Sequence, residues 1–318
     1  MQSHPRSRCI MNVAFLGLGA IGAPMARHVA APPFSLAVWN RTADVAARFA
    51  AGANARHATS PADAARGAEI VITCLPTSRE VEALLDGADG LQAAMQPGSV
   101  LVDCTSGDPA SSRRIASMLA SRGVAFVDAP VSGGVSGAER GALTVMCGGS
   151  ADDLARVRPV LERFGEKVVH CGEVGAGHAV KAINQAMLAV HIWSLSEGLA
   201  ALASAGVNVT TALDVINASS GRSNTSMNLF PERVLTRAFP RTFKLALLDK
   251  DARIAAGFAR EHGVPSPMLQ LASELMRTGH AVLGEEADHV EAVRVVEAWA
   301  GVQVGADVPT AMDAGAAT

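Results

Sequence analysis

One glycine motif constrains the fold of this chain more than any other feature. Gly17, Gly19 and Gly22 lie between an apolar run that predicts a buried strand, residues 13–16, and an Ala-rich stretch that predicts a helix. A second strand-like run ends in Asn40-Arg41-Thr42. This is the layout of a βαβ unit that binds a dinucleotide, whose pyrophosphate lies on the free N–H groups of the helix. The cofactor contacts predicted from the motif are Gly17, Leu18, Gly19, Ala20, Ile21 and Gly22.

The order of apolar runs predicts two domains in this chain of 318 residues. Strand-like runs alternate with helical stretches as far as Gly172, which predicts a largely parallel sheet with helices on both faces. These runs are residues 13–16, 36–39, 70–74, 100–103, 125–128, 143–147 and 168–171, with helices expected at 109–121 and 151–164 among others.

From residue 177 to 205 the pattern changes to one long buried helix of about 29 residues. Further helices are expected at 210–219, 243–262, 267–279 and 289–299, with a loop around 221–228. The fold class is therefore an α/β domain with a largely parallel sheet, followed by an all-helical domain and joined to it through one long helix. The predicted divisions are a disordered leader (1–10), the nucleotide-binding domain (11–174), the helical domain (175–300) and a flexible tail (301–318).

Composition excludes several classes of function. A net charge of −3, no Tyr and 4% aromatic residues disfavour nucleic-acid binding. The five cysteines are scattered without metal-binding spacing, which predicts buried thiols in a reducing compartment and no metal. No apolar stretch of membrane-spanning length lacks polar residues, and the first ten residues have no apolar core of a secretory signal. We therefore expect a cytoplasmic protein without a membrane partner.

Residues after the second strand indicate which dinucleotide binds. NAD enzymes of this layout usually place a carboxylate there for the ribose 2′-hydroxyl. Here Asn40, Arg41 and Thr42 occupy the position, and an amide with a guanidinium suits a 2′-phosphate. The chain is expected to prefer NADP, with NAD as the alternative. The competing interpretation is a polar strand end with Arg41 in solvent.

Two other strand ends are candidates for cofactor contact. Leu75 and Pro76 follow the third predicted strand, and Thr105 and Ser106 follow the fourth. Ligands of open α/β sheets lie beyond the carboxyl ends of the strands. Thr105 and Ser106 have hydroxyls for the ribose or the nicotinamide amide, but both segments are equally typical of helix caps.

The segment after the fifth strand, Ser132-Gly133-Gly134, offers a hydroxyl and consecutive unobstructed N–H groups. Such a loop can form a nest that binds a carboxylate. A flexible turn is the alternative interpretation.

Lys181 lies near the start of the long helix among apolar neighbours. A lysine on a buried helix is costly unless it is paired or functional, and burial moves its pKa toward the range of a general acid or base. Asn184, at i+3, or Gln185, at i+4, would orient it or bind substrate; snorkelling of Lys181 to the surface is the alternative. His178 and His191 are predicted to be structural. Lys250 is a candidate cofactor contact or one half of a surface charge pair.

Together these segments resemble the β-hydroxyacid dehydrogenase family from Met11 to about Trp299. The resemblance rests on the glycine motif through Met25 and Ala26, on Asp103-Cys104-Thr105-Ser106, on the segment from Asp128 to Gly134, on the lysine motif from Gly175 to Asn184, and on Lys250-Asp251. The chain departs from the family's pattern at Ile21, where Met is usual, and at Ala142, where Thr is frequent. The family's pattern is Asp-x-Ser-Thr, whereas this chain has Thr105 followed by Ser106.

The resemblance implies a Rossmann-type domain followed by a helical domain, an active site between them, and a homodimer or homotetramer built on the helical domains. It implies hydride transfer between the nicotinamide and a small carboxylate-bearing substrate, with Lys181 as general acid/base and Asn184 assisting. Ser132, Gly133, Gly134, Lys181 and Asn184 would bind the substrate, and Lys250 the cofactor. The expected reaction interconverts a 3-hydroxyisobutyrate-like 3-hydroxy acid and its semialdehyde.

Several alternatives stay open at this point. Within the same fold they are reduction of glyoxylate, succinic or tartronate semialdehyde, and oxidation of β-hydroxy amino acids. Imine reductases share the architecture but usually replace the lysine, so Lys181 argues against that activity. A non-catalytic NADP-binding module is a further alternative, disfavoured because Lys181 and the Ser132-Gly133-Gly134 segment are retained. Arg222, in the loop before residue 230, is a candidate second ligand for the substrate carboxylate.

Overall fold

The computed structural model of this protein describes residues 10–305. Residues 1–9 of the predicted leader and residues 306–318 of the predicted tail lie outside this range. The chain divides after Lys181 into two compact units, here called unit 1 and unit 2. This division falls inside the long helix, a few residues after the predicted domain boundary at residue 174, because the first turns of that helix belong with the sheet of unit 1.

Unit 1 is built on one nine-stranded sheet. Its strands run in the order β3-β2-β1-β4-β5-β6-β8-β7, with β9 paired to β8. The pairs from β3 to β6 and the pair β8–β9 are parallel, whereas β8 is antiparallel to β6 and β7. The bounds are β1 Met11–Leu16, β2 Phe34–Trp39, β3 Ala55–His57, β4 Ile70–Thr73, β5 Val100–Asp103, β6 Ala125–Asp128, β7 Val131–Ser132, β8 Leu143–Gly148 and β9 Gly165–Gly172.

Helices cover both faces of this sheet. Along β1, Val13 and Phe15 pack into one apolar cluster, while Ala14 and Leu16 pack into another, as the period of two in a strand requires. The helices are α1 Gly22–Val29, α2 Ala43–Ala51, α3 Pro61–Ala65, α4 Ser78–Leu85, α5 Leu91–Ala94, α6 Pro109–Ala120, α7 Gly134–Arg140 and α8 Ala151–Leu161.

The seven predicted strands are confirmed, and two short strands were missed. β3 has three residues, Ala-Arg-His, and β7 has two, so neither is long enough to show an alternating pattern. The segment predicted as a loop or turn after β6 is instead β7 followed by α7.

The long helix α9 spans Ala176–Ser204, and its predicted length of 29 residues is confirmed. It begins in unit 1 and continues into unit 2, which is otherwise helical. The remaining elements are α10 Val209–Asn217, a π-helical segment Thr225–Val234, α11 Leu245–Glu261, α12 Pro267–Leu283, a 3₁₀ turn His289–Ala292 and α13 Val293–Ala300.

The predicted loop at 221–228 is wrong from Thr225 onward. Phe230 and Val234 are fully buried in the core of unit 2, and burial of these side chains favours a helical segment despite Pro231 within it. Its wider π-type turn is rare and is not readable from the apolar spacing.

By length and composition alone, α9 is apolar enough to cross a membrane. The core helix of a globular protein meets the same two criteria, so this property does not distinguish between them.

Candidate active site

The glycine motif forms a tight turn between β1 and α1. Gly17 has a φ of +102°, and a Cβ atom there would collide with the carbonyl oxygen of Cys74. A Cβ on Gly22 would collide with the carbonyl oxygen of Gly17. Gly19 has open space on its Cβ side and is exposed. No side chain caps the start of α1, and its first turn has no acidic residue. An exposed backbone at an uncapped helix N-terminus fits the pyrophosphate of a dinucleotide.

The end of β2 is tied directly to this turn. Asn40 Oδ1 accepts a 3.0 Å hydrogen bond from Leu18 N–H, and its Nδ2 donates to the Thr42 carbonyl at 3.1 Å. Arg41 is exposed and has no hydrogen bond or ion pair to any residue within 10–305. Asn40 therefore fixes the turn, and the Arg41 guanidinium lies beside it in solvent.

A chain of hydrogen bonds joins the ends of β4 and β5. The Thr105 hydroxyl accepts from Leu75 N–H at 3.1 Å, and Thr105 N–H donates to Asp103 Oδ1 at 3.0 Å. Thr73 also donates to Asp103 Oδ1, at 2.9 Å. Thr105 is fully buried and already bonded within the protein, whereas Ser106 is half-buried.

Both segments do cap a helix, but they do so through residues other than the four cofactor candidates. Asp108 caps α6 by accepting from Ala110 and Ser111 N–H, and Thr77 caps α4 by accepting from Arg79 N–H. Neither cap is Leu75, Pro76, Thr105 or Ser106, so those four residues remain candidates for cofactor contact.

The segment Ser132-Gly133-Gly134 lies at the junction of β7 and α7. Ser132 is half-buried at the end of β7, where it pairs with Thr144. Gly133 and Gly134 are exposed, with φ of +135° and +65°. In one form of nest, a residue in the right-handed region (negative φ) alternates with one in the left-handed region (positive φ). Two consecutive glycines with positive φ do not follow this alternation. The two exposed glycines lie at the start of α7, which no side chain caps.

Asp128 holds the start of α9. Its carboxylate is fully buried and accepts from Gly175 N–H at 2.6 Å and from His178 N–H at 2.8 Å. Gly177 comes so close to the sheet that a Cβ atom would lie 2.9 Å from the Asp128 carbonyl oxygen. Lys181, in the second turn of α9, is only 8% exposed, so the structure does not support the alternative that Lys181 snorkels to the surface.

The other predicted site residues lie in unit 2. Asn184 is exposed, and its Nδ2 donates to Oε1 of the buried Gln185 at 3.2 Å, so the two candidate amides form a pair. Lys250 Nζ lies 3.1 Å from a carboxylate oxygen of the buried Asp251. Arg222 is exposed.

The cysteines within residues 10–305 are free thiols without a metal cluster in that range. Burial, with a smaller effect of Asp103, raises the pKa of the Cys74 thiol to about 12. Burial likewise raises the pKa of Cys104, beside the same strand ends. Both are neutral at physiological pH and do not act as nucleophiles there.

Three residues that organise unit 1 were not predicted as part of the site: Asp103, Ser112 and Asp128. Both aspartates end an apolar run, Val-Leu-Val-Asp and Ala-Phe-Val-Asp. An aspartate at the end of an apolar strand is the signal that would have identified them, because a buried carboxylate requires donors nearby.

Comparison with known proteins extends over almost the whole chain. Residues 12–172 match the NAD-binding domain of 6-phosphogluconate dehydrogenase, and residues 175–296 match the NAD-binding domain of NADP-dependent 3-hydroxyisobutyrate dehydrogenase. The 2-(hydroxymethyl)glutarate dehydrogenase of Eubacterium barkeri is 35% identical over 92% of this chain and 97% of its own length. The NAD-dependent L-serine dehydrogenase of Pseudomonas aeruginosa is 36% identical over 83% of this chain and 91% of its own.

The structural comparison agrees with these matches. A solved structure of Mycobacterium tuberculosis 3-hydroxyisobutyrate dehydrogenase with L-serine has a TM-score of 0.82 and 28% identity. The match covers 90% of this chain and 99% of that one. This chain therefore belongs to the β-hydroxyacid dehydrogenase family and is an NAD(P)-dependent 3-hydroxyacid dehydrogenase.

Proposed function

We propose that Lys181 is the general acid and base of this dehydrogenase. The observation that carries the proposal is a lysine 8% exposed in the second turn of α9, the helix whose first N–H groups Asp128 holds. Burying an ammonium group costs free energy that a surface lysine avoids, so its placement favours a functional role.

The proton transfer follows from the chemistry of the two directions. The bound nicotinamide cofactor supplies or accepts the hydride. In reduction, the Lys181 ammonium donates a proton from Nζ to the carbonyl oxygen of the semialdehyde. In oxidation, the neutral amine accepts the proton from the alcohol. Asn184, one turn later and bonded to Gln185, positions Lys181 or the substrate.

The substrate carboxylate is proposed to bind at Ser132-Gly133-Gly134. The Ser132 hydroxyl and the N–H groups of the two exposed glycines are donors suited to an anion, and no acidic residue lies in the first turn of α7. Arg222 is proposed as a second carboxylate ligand, since it is an exposed cation in a polar loop.

The substrate class follows from what the relatives' names have in common. 3-Hydroxyisobutyrate, L-serine and 2-(hydroxymethyl)glutarate share the unit HOCH₂–CH(R)–COO⁻ and differ in R. We propose that this chain oxidises the primary alcohol of such an acid to its semialdehyde, with a small apolar R as in 3-hydroxyisobutyrate. Oxidation of the amino acid with R = NH₃⁺ is the second candidate, which the L-serine dehydrogenase relative favours.

Steady-state rates for the three acids, each with NADP and NAD, test this proposal. We expect turnover of at least one acid and none of isobutanol, which has the alcohol but lacks the carboxylate. Equal turnover of isobutanol and 3-hydroxyisobutyrate, or no turnover of any hydroxy acid, would contradict the proposal.

NADP is proposed as the preferred cofactor. Asn40 presents an amide where a carboxylate would repel a 2′-phosphate, and the exposed Arg41 guanidinium lies next to it. The matched proteins differ in their cofactor. One family match is to an NADP-dependent 3-hydroxyisobutyrate dehydrogenase, and one relative is an NAD-dependent L-serine dehydrogenase. A higher kcat/KM with NADP than with NAD is the expected result.

A homodimer or homotetramer through the helical unit is also proposed. Large apolar side chains are exposed there, among them Met187, Leu271 and Trp299. Such side chains favour burial against another surface. Light scattering of the purified protein would measure the oligomeric state. A cytoplasmic location and the lack of nucleic-acid and membrane partners stay predictions.

A further inference from the structure

His178 is a fully buried histidine with both ring nitrogens bonded. Its Nε2 lies 2.9 Å from the carbonyl oxygen of Thr105, and its Nδ1 lies 2.6 Å from Ser112 Oγ. Its backbone N–H donates to Asp128, as described above. One side chain therefore connects the start of α9 to the segment after β5 and to α6.

The partners determine which nitrogen holds the proton. A carbonyl oxygen only accepts, so Nε2 donates to Thr105. With Nε2 as the donor, a singly protonated ring accepts at Nδ1 from the Ser112 hydroxyl, whose oxygen also lies 3.2 Å from the Asp108 carbonyl oxygen. An apolar side chain in place of His178 would leave the Thr105 carbonyl and the Ser112 hydroxyl without these bonds in a buried environment.

Thr105 is fixed through three of its groups. Its N–H is bonded to Asp103, its hydroxyl to Leu75 N–H, and its carbonyl to His178. The ring also packs against Gly107, where a Cβ atom would lie 2.7 Å from Cε1 of His178. The carbonyl bond is the contact that joins this segment to α9.

Lys181 lies three residues after His178 on the same helix, which places the two side chains on one face. We propose that His178 is a positioning residue, which fixes the position of Lys181 relative to the predicted cofactor contacts Thr105 and Ser106. The inference rests on the proposed role of Lys181. In proton transfer a misplacement of about 1 Å can lower the rate about a hundredfold.

The test compares His178→Leu, which removes both ring bonds, with His178→Gln, whose amide can donate one and accept one. His191→Leu is the matched control, because it changes another histidine of α9 whose ring has no hydrogen bond within residues 10–305. Each variant is assayed at a temperature where circular dichroism shows it folded. The readouts are kcat and the kinetic isotope effect of the deuterated alcohol.

We expect His178→Leu to lower kcat about 10- to 100-fold and to raise the isotope effect, since proton and hydride transfer become rate-limiting. His178→Gln should restore most of the rate, and His191→Leu should match the wild type. If His178→Leu lowers the melting temperature but leaves kcat and the isotope effect unchanged, His178 is only structural and the proposal is wrong.

Ser112→Ala serves where His178→Leu does not fold. It removes the Nδ1 partner and the hydroxyl's own contact with the Asp108 carbonyl oxygen, while the Nε2 bond to Thr105 stays. We expect a smaller fall in kcat with the same rise in the isotope effect. Unchanged values for a folded Ser112→Ala would then contradict the proposal. Lys181→Met separates the two hypotheses, because full activity of that variant refutes the role of Lys181 whatever the His178 variants show.

Discussion

Unit 1 and unit 2 each contain a buried aspartate that accepts several backbone N–H bonds beside a histidine. In unit 1, Asp128 accepts from Gly175 and His178 at the start of α9. In unit 2, Asp288 accepts from Thr242, Phe243 and Val290 and caps the 3₁₀ turn at His289. The same chemical arrangement fixes a segment in both units.

The two aspartates differ in what they fix. The N–H groups bonded to Asp128 lie three and six residues before Lys181, whereas those bonded to Asp288 belong to a loop and a turn with no predicted site residue. A buried carboxylate is thus not by itself a sign of catalysis, and its position relative to the reacting group decides its role.

Among the variants that test the difference between these two aspartates, the largest effect is expected from Asp128→Asn. The amide accepts through one atom only, so one of two buried N–H groups loses its partner. We expect a loss of about 1–3 kcal/mol in the free energy of unfolding, together with a fall in kcat of the folded protein. Urea denaturation and kcat measure the two effects, and an unchanged kcat in the folded variant would show that the contacts of Asp128 do not affect catalysis.

Asp288→Asn is the matched variant in unit 2. A similar loss of stability is expected, about 1–3 kcal/mol, with kcat of the folded protein unchanged. A fall in kcat as large as that of Asp128→Asn would show that the two aspartates do not differ as described.

The effect of Asp288→Asn on stability should also depend on pH. Burial alone would raise the pKa of Asp288, but His289 and the N–H groups of Phe243 and Thr242 hold it well below its ordinary value of 3.8. A lowered folded pKa gives stability that is present above the unfolded value and is lost as the pH falls through the folded one. The difference in unfolding free energy between wild type and Asp288→Asn should therefore shrink below about pH 4. A difference that stays constant from pH 7 to pH 3 would contradict it.

The smallest effect is expected from Arg41→Ala, at the cofactor end of unit 1. Loss of one exposed contact to a 2′-phosphate should raise KM for NADP about tenfold, or ~1.4 kcal/mol, and leave KM for NAD nearly unchanged. Arg48→Ala is the control, because Arg48 is an exposed arginine of the following helix α2. Equal changes for both cofactors would contradict NADP preference through Arg41.

Much of the fold could be predicted because its signals are local. The glycine turn, the apolar strands and the 29-residue α9 each follow from neighbouring residues. β3 and β7 were missed because two or three residues show no period. The π-helical segment from Thr225 was missed because the burial of Phe230 and Val234 depends on tertiary packing.

The site was less predictable, because its residues depend on contacts distant in sequence. Asn40 was identified as a cofactor residue, but its bond to Leu18 spans 22 positions and gives it a second role. Thr105 stays a predicted cofactor contact, but its hydroxyl also accepts a bond from Leu75 N–H, 30 positions away, which gives it a second role. The contacts of Asp128 and His178 form only when β6, α6 and the start of α9 pack together, so the sequence alone does not show them.

We propose that Lys181 transfers the proton in both directions between a 3-hydroxy acid and its semialdehyde. The most direct measurement is single-turnover hydride transfer from NADPH to the semialdehyde by Lys181→Met, a variant of similar length without a titratable group, with cofactor binding measured by fluorescence. We expect hydride transfer to slow about 10²- to 10⁴-fold while the Kd for NADPH stays close to that of the wild type. Hydride transfer at the wild-type rate would contradict it.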